Sequence, residues 1–187
     1  MVETMHALPA PHRFSRHEYH AMGRSGLFVE ARVELLEVEI FTMSPQDVRH
    51  ASAVHRIFYA LRRLLGESYH LRMQAPIILD DRSEPEPDIC ACQREADDFA
   101  SRHPSASDIA LVVEVAASSL AYDRSRKASA HARGGIPAYW IVNLEDETFG
   151  EPVQGSYSLR ETYARTSKVL LPLPGGASIA VQELLPS

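Results

Sequence analysis

The sequence predicts an α/β fold of the mixed α+β kind, a central β-sheet flanked by helices with antiparallel strands toward both ends of the chain. Three observations predict it. The apolar runs "DIALVVEVA" and "IPAYWIVNL" read as strands covered on both faces, and the stretch between them has the length of a right-handed crossover joining parallel neighbours. "SPQDVRHASAVHRIFYALRRLLG" carries apolar residues at helical spacing. Alternating segments near residues 28–43 and 156–164 read as antiparallel strands.

Taken in order, residues 1–13 hold Pro and His without periodicity and read as a flexible arm, and 14–187 as a single domain. A chain of 187 residues can bury roughly 70% of its unfolded surface without staples. "SRHEYHAMGRSG" predicts a short helix with Ser15 as N-cap, Glu18 completing a capping box, and Gly23 or Gly26 ending it. In 28–43, Val33 and Leu35 share one phase and Leu36, Val38 and Ile40 the other, so a bend or hairpin is expected there. The long helix has Ser44 as N-cap, Pro45 in its first turn and Gly66 as its stop, with Val48, Ala51, Val54, Phe58, Leu61 and Leu65 as its packing stripe.

"SYHLRMQ" and "PIILD" read as short strands, and the polar turn "DDRSEPEP" precedes a third strand, "DICAC". Residues 93–108 read as a charged surface helix or loop. "SSLAYDRSRKASAHARGG" predicts a helix of about three turns stopped at Gly134. The tail offers antiparallel edge strands in "SYSLRETYA" and "KVLLPLPGGASIAV", then a short turn at "QELL".

Composition narrows the function classes. No window approaches the roughly 18 apolar residues of a membrane span, and the N-terminus lacks a basic segment followed by an apolar core, so a soluble, cytoplasmic protein is expected. A net charge of −6 argues against a nonspecific DNA-coating protein but leaves room for local phosphate contacts. The nine histidines form no H-E-x-x-H motif and the two cysteines no C-x-x-C, which argues against zinc. Cys90 and Cys92 share one strand face and read as buried free thiols.

Glu114 is the most informative residue. A carboxylate within a doubly covered strand loses several kcal/mol to desolvation unless protonated, paired or bound to a cation. Asp88, in "EPEPDIC", stands where another strand begins, so neighbouring strands would bring the two carboxylates together. Two such oxygens, a backbone carbonyl, water and a phosphate make a usual Mg²⁺ sphere, and Lys127 on the following helix could orient the water or steady the phosphate.

"VELLEVEIFTMSPQDVRHA", "EPEPDI" and "LVVEVAASSLAYDRSRKASAHARGGIPAYWIV", in that order over residues 14–145, resemble the Uma family of restriction endonucleases, a branch of the PD-(D/E)XK nuclease superfamily. The resemblance implies a restriction-endonuclease-like core. It implies that Asp88 is the Pro-Asp acid, Glu114 the acid of the (D/E)XK motif, Lys127 the lysine supplied by the helix, and Glu34 an additional glutamate at the metal or its water. The Val115 backbone carbonyl would complete the metal's protein ligands. The position two beyond Glu114, usually basic in the superfamily, is Ala116. Relatives carry Asp-Gly where this chain has Glu37-Val38, and valine disfavours positive φ, so a different local turn is expected.

Each residue has a plainer reading. Glu114 could pair with Arg124, Asp88 could cap a turn, Lys127 could be a solvated helix lysine, and Glu34 could lie on an exposed strand face. Capping and packing account for Ser118, Tyr122 and Asp123, with Asp123 as a helix cap. His131 reads as a surface residue or one standing behind the ligands, Arg49, His50, Arg56, Arg62 and Arg63 as a solvated face, and Trp140 as core. The leading expectation is a Mg²⁺-dependent endodeoxyribonuclease, with Mn²⁺ as substitute, acting on DNA as a homodimer. The alternatives are an inactive nuclease-fold module that binds nucleic acid or a protein, and a hydrolase of another phosphate ester.

Overall fold

The structure is a computed structural model that describes residues 9–145, 148–150, 157 and 161–186. Residues 1–8 of the expected arm lie outside the described residues, and 9–13 are exposed and without regular structure. Helix α1, Arg16–Arg24, begins with the expected capping box: Glu18 donates its N–H to Ser15 Oγ (3.3 Å), and Ser15 donates its N–H to Glu18 Oε2 (2.8 Å). The pair satisfies two otherwise orphaned donors.

Strands β1 (Val33–Leu36) and β2 (Glu39–Thr42) form a separate antiparallel hairpin. Its two-residue turn is Glu37-Val38, with φ of 49° and 74°, so the expectation that valine would force a different turn is corrected. Tertiary contacts hold the strained pair. Val38 is buried, donates its N–H to the Arg82 carbonyl (2.9 Å) and accepts from the Phe14 N–H (3.0 Å), while Arg126 and Arg133 pair with the Glu37 carboxylate.

Helix α2, Val48–Leu65, takes Asp47 as its N-cap through the His50 N–H (2.7 Å), not Ser44. Asp47 supplies the better acceptor and a favourable charge at the positive helix end. The buried stripe is Ala53, Val54, Ile57, Ala60, Leu61 and Leu65, whereas Val48 is 87% exposed. Val54, Leu61 and Leu65 of the expected stripe are buried and Phe58 packs half-buried against the same core, but Ile57, Ala53 and Ala60 join them and Val48 does not.

Strand β3 (Tyr69–Met73) follows, but "PIILD" forms isolated bridges rather than a strand: Ile78 pairs with Ser105, Asp80 with Ser83, and Ile77 donates its N–H to the Pro85 carbonyl. Strands β4 (Ile89–Gln93), β5 (Ile109–Ala116), β6 (Tyr139–Asn143), β7 (Thr148–Gly150) and β8 (Thr162–Ala164) complete a six-stranded sheet in sequential order from β3. Only β5 and β6 pair in parallel, as the crossover predicts; the other neighbours are antiparallel. Parts of "SYSLRETYA" lie outside the described residues, and its end forms β8. Strands β9 (Lys168–Leu170) and β10 (Ser178–Ala180) make their own hairpin instead of extending the sheet edge, and a short helix, Val181–Leu184, covers α2.

The crossover helix is interrupted. One turn at Leu120–Tyr122 passes into a π turn at Asp123–Lys127 and then a helix at Ala128–Gly134, ended by Gly135 at φ 87°. Asp123 lies inside this run and does not cap it. Strand parity sorts the core into two layers. Ile89, Ala91, Leu111, Val113, Val115 and Trp140 pack with α2, while Cys90, Cys92, Val112, Ala116 and Ile141 pack with Ala128 and Ile136 on the crossover side. Cys90 and Cys92 are free and buried.

The stripe makes a direct contrast. Ile57→Ala should lower the unfolding free energy by about 2–5 kcal/mol, and Val48→Ala should change it by less than ~0.5 kcal/mol. Urea unfolding of both variants checks this; equal effects would show that α2 presents the wrong face here.

Candidate active site

Glu114 shares the even parity of Val112 and Ala116 and therefore faces the crossover segment. Asp88 directly precedes β4, and because Ile89 pairs with Val113, it arrives opposite Glu114 where the two strands part. The Asp88 N–H donates to Glu114 Oε2 (3.3 Å), and the Val115 N–H donates to Asp88 Oδ2 (2.9 Å). The two acids are thus coupled through each other's strand.

The π turn carries Lys127 under the sheet. Its Nζ donates to Glu114 Oε1 (3.1 Å) and stands 3.4 Å from Glu34 Oε2, with the lysine buried. Glu34, on β1, also accepts the Glu86 N–H (3.1 Å), so it is buried rather than on an exposed strand face. All four predicted side chains, Glu34, Asp88, Glu114 and Lys127, therefore line one cleft of about 360 Å³. Glu114 pairs with Lys127 and not with Arg124.

Three residues given plain readings in the sequence, Asp123, His131 and His50, also belong to this neighbourhood, together with Gln74. Asp123 is buried in the cleft and accepts the Ser119 hydroxyl (2.6 Å). It stands four residues before Lys127, a spacing at which a carboxylate and a lysine share a helix face. His131, four residues after Lys127, is fully buried, stacked on Tyr139 and 3.9 Å from Glu114 Oε1. Among the described residues both its ring nitrogens lack a hydrogen-bond partner. His50, expected on a solvated face, donates from Nε2 to Asp88 Oδ2 (3.1 Å), and the Gln74 side-chain amide donates to Asp88 Oδ1 (3.2 Å). No pattern in the sequence marks those last two; only the strand geometry brings them in.

The electrostatics follow from burial. Desolvation drives the Glu114 carboxyl well up, Lys127 pulls it back, and Asp88, Asp123 and Glu34 push it up again. Desolvation also opposes charge on Lys127, but Glu114 and the other acids outweigh it and hold the ammonium protonated. Burial raises Asp123 to about 6 against the pull of Lys127 and Ser119. Burial acts against ionised Asp88 too, yet the His50 contact, the Val115 N–H and Lys127 leave it below the usual carboxylate range. Desolvation pushes His131 down to about 3, so it is neutral near pH 7. Four buried acids, Glu34, Asp88, Glu114 and Asp123, thus gather around one buried ammonium in this cleft.

Asp123 has a folded pKa above its unfolded value of 3.8, so its ionised form is a penalty present above about 6 and absent below 3.8. Asp123→Asn should therefore stabilise the metal-free protein at pH 8, on the order of 1–3 kcal/mol, and not at pH 4. Urea unfolding at the two pH values reads the difference; an equal gain at pH 4 would contradict the assignment.

A sequence profile of the Uma2 family, described as "Putative restriction endonuclease", matches residues 16–182. Among solved structures, a "putative nuclease belonging to DUF820" from Anabaena variabilis ATCC 29413 is similar with a TM-score of 0.67. The match covers 83% of this chain and 90% of that one at 14% identity, which shows a shared fold. No curated protein matches significantly. No described helix is long and apolar enough to cross a membrane. With nearly its whole length matched and its sheet, crossover and acidic cleft in the order that the resemblance implied, the chain belongs to the Uma2 family.

Proposed function

We propose that the protein is a divalent-metal-dependent endonuclease that hydrolyses DNA phosphodiester bonds at the Glu34, Asp88, Glu114 and Lys127 cleft. The observation that carries this reading is the convergence of two buried carboxylates from adjacent strand ends with a buried lysine. The donor set fits a hard cation. The donors are carboxyl oxygens, and a Mg²⁺ or Mn²⁺ ion would favour the ionised form that burial alone disfavours in Glu114. Among the described residues no three His, Cys, Asp or Glu side chains stand together as a metal cage, so water and phosphate oxygens would have to complete the ion's sphere.

Asp88, Glu114 and the Val115 carbonyl would hold the ion, with Glu34 on the far side of Lys127 steadying it or its water. The Val115 N–H already points to Asp88, and in an extended strand the carbonyl of the same residue faces the same edge. A bound ion would lower the pKa of its water and offset phosphate charge. Lys127, held charged by the surrounding acids, would steady the phosphate or orient the attacking water. Basic residues of α2 would meet the duplex only by exchanging present partners, as Arg62 pairs with Glu67 and Arg63 with Glu183, and a cytoplasmic homodimer would present two sites to two strands.

A second reading has one observation in its favour. The Lys127 ammonium bridges Glu114 and Glu34 by itself, a cation already between two acids, as an inactive nuclease-fold module would need.

Plasmid DNA incubated with the protein and Mg²⁺ or Mn²⁺ should be cut. Asp88→Ala and Glu114→Ala should abolish the cutting, and Lys127→Ala should slow it roughly 10²–10³-fold. Cutting that survives unchanged in the two acid variants defeats the active-site assignment. In a separate measurement without DNA, saturation with Mn²⁺ to about 100 times its Kd should stabilise the wild type by about 2.7 kcal/mol and leave Glu114→Ala nearly unmoved. No metal stabilisation and no cutting together would favour the inactive module.

A further inference from the structure

The Asp88 carboxylate accepts three hydrogen bonds. Its Oδ2 accepts both the His50 Nε2–H (3.1 Å) and the Val115 N–H (2.9 Å), and its Oδ1 accepts the Gln74 amide (3.2 Å). An ionised carboxylate offers about four acceptor positions, two per oxygen. Two donors fill Oδ2, so among the described residues the remaining acceptor position lies on Oδ1.

Two further observations converge on the same carboxylate. Gln74 has φ of 49°, in the left-handed region that a non-glycine residue enters at a cost, and its backbone N–H also donates to the Asp88 carbonyl (3.0 Å). One residue thus grips Asp88 by main chain and side chain while holding a strained conformation. His50 sits in the first turn of α2, where Asp47 accepts its N–H, so the helix start fixes the imidazole at the cleft wall.

We infer that His50 and Gln74 are positioning residues which, with the Val115 N–H, clamp Asp88 so that a single Oδ1 lone pair is presented to the divalent cation. The inference rests on the metal-ligand role proposed for Asp88. With three donors on it, the carboxylate is held in one orientation, and a divalent ion would bind a preset ligand rather than a rotating one. Hydrogen bonds that orient a ligand in this way typically govern metal affinity as well as activity.

Mn²⁺ is titrated calorimetrically into the wild type, His50→Phe, His50→Gln and Gln74→Gly, and each metal-free protein is also unfolded thermally. His50→Phe keeps the ring but removes the donor, and should weaken Mn²⁺ binding roughly 10–100-fold. His50→Gln places an amide N–H near the former Nε2 and should restore affinity to within about threefold. Gln74→Gly should weaken binding roughly tenfold while leaving the folding midpoint undiminished, since glycine tolerates the positive φ. Folded His50→Phe and Gln74→Gly proteins that bind Mn²⁺ as the wild type does overturn the clamp alone. If His50→Phe does not fold, Gln74→Gly decides by the same criterion. A wild type that binds no Mn²⁺ removes the metal reading itself, and the clamp with it.

Discussion

The buried ammonium of Lys127 is the interaction on which the rest of the cleft depends. It reaches Glu114 from below the sheet and Glu34 from the hairpin side, tying the crossover segment, the central strand and the N-terminal hairpin to one point. Without a positive charge there, four carboxylates would share a low-dielectric cleft at several kcal/mol of desolvation each. The fold supplies that charge locally, from the crossover segment that packs beneath the sheet.

The π turn at Asp123–Lys127 is what delivers that ammonium. A π turn inserts an extra residue into the helical ladder, and such turns occur often at functional sites. Here it buries both of its ends, Asp123 and Lys127, under the sheet, while Arg126 points outward to Glu37 and Glu39. The same outward arginine, with Arg133, secures the strained Glu37-Val38 turn. Hairpin and crossover therefore stabilise one another across the cleft they enclose.

Strand parity is the second constraint. Residues of β5 alternate between the α2 layer and the crossover layer, so a one-residue shift in register would turn Glu114 into the wholly apolar α2 side. The parallel pairing with β6 fixes that register, and the end of the β4–β5 ladder at Ile89 leaves the strand edge open where Asp88, the residue before it, enters. The acids gather where the ladder ends because there the Val115 N–H has no β4 carbonyl opposite it and is taken by the Asp88 carboxylate.

The sequence by itself determined the parts that rest on local rules. The capping box of α1, the doubly covered runs of β5 and β6, their parallel crossover, and the burial of Glu114 all follow from residue type and spacing, and the order of motifs carried the resemblance to the family. Local rules also misplaced what they could not see: the α2 cap and stripe, the "PIILD" strand, and the turn that valine was expected to refuse. Tertiary structure alone decided the partners of Asp88, because His50 and Gln74 lie 38 and 14 residues away on other elements. It likewise decided that Asp123 and His131 are buried, since a helix shows which residues share a face but not which face meets the sheet. Periodicity is a property of one segment, whereas desolvation and hydrogen-bond pairing are properties of two segments brought together.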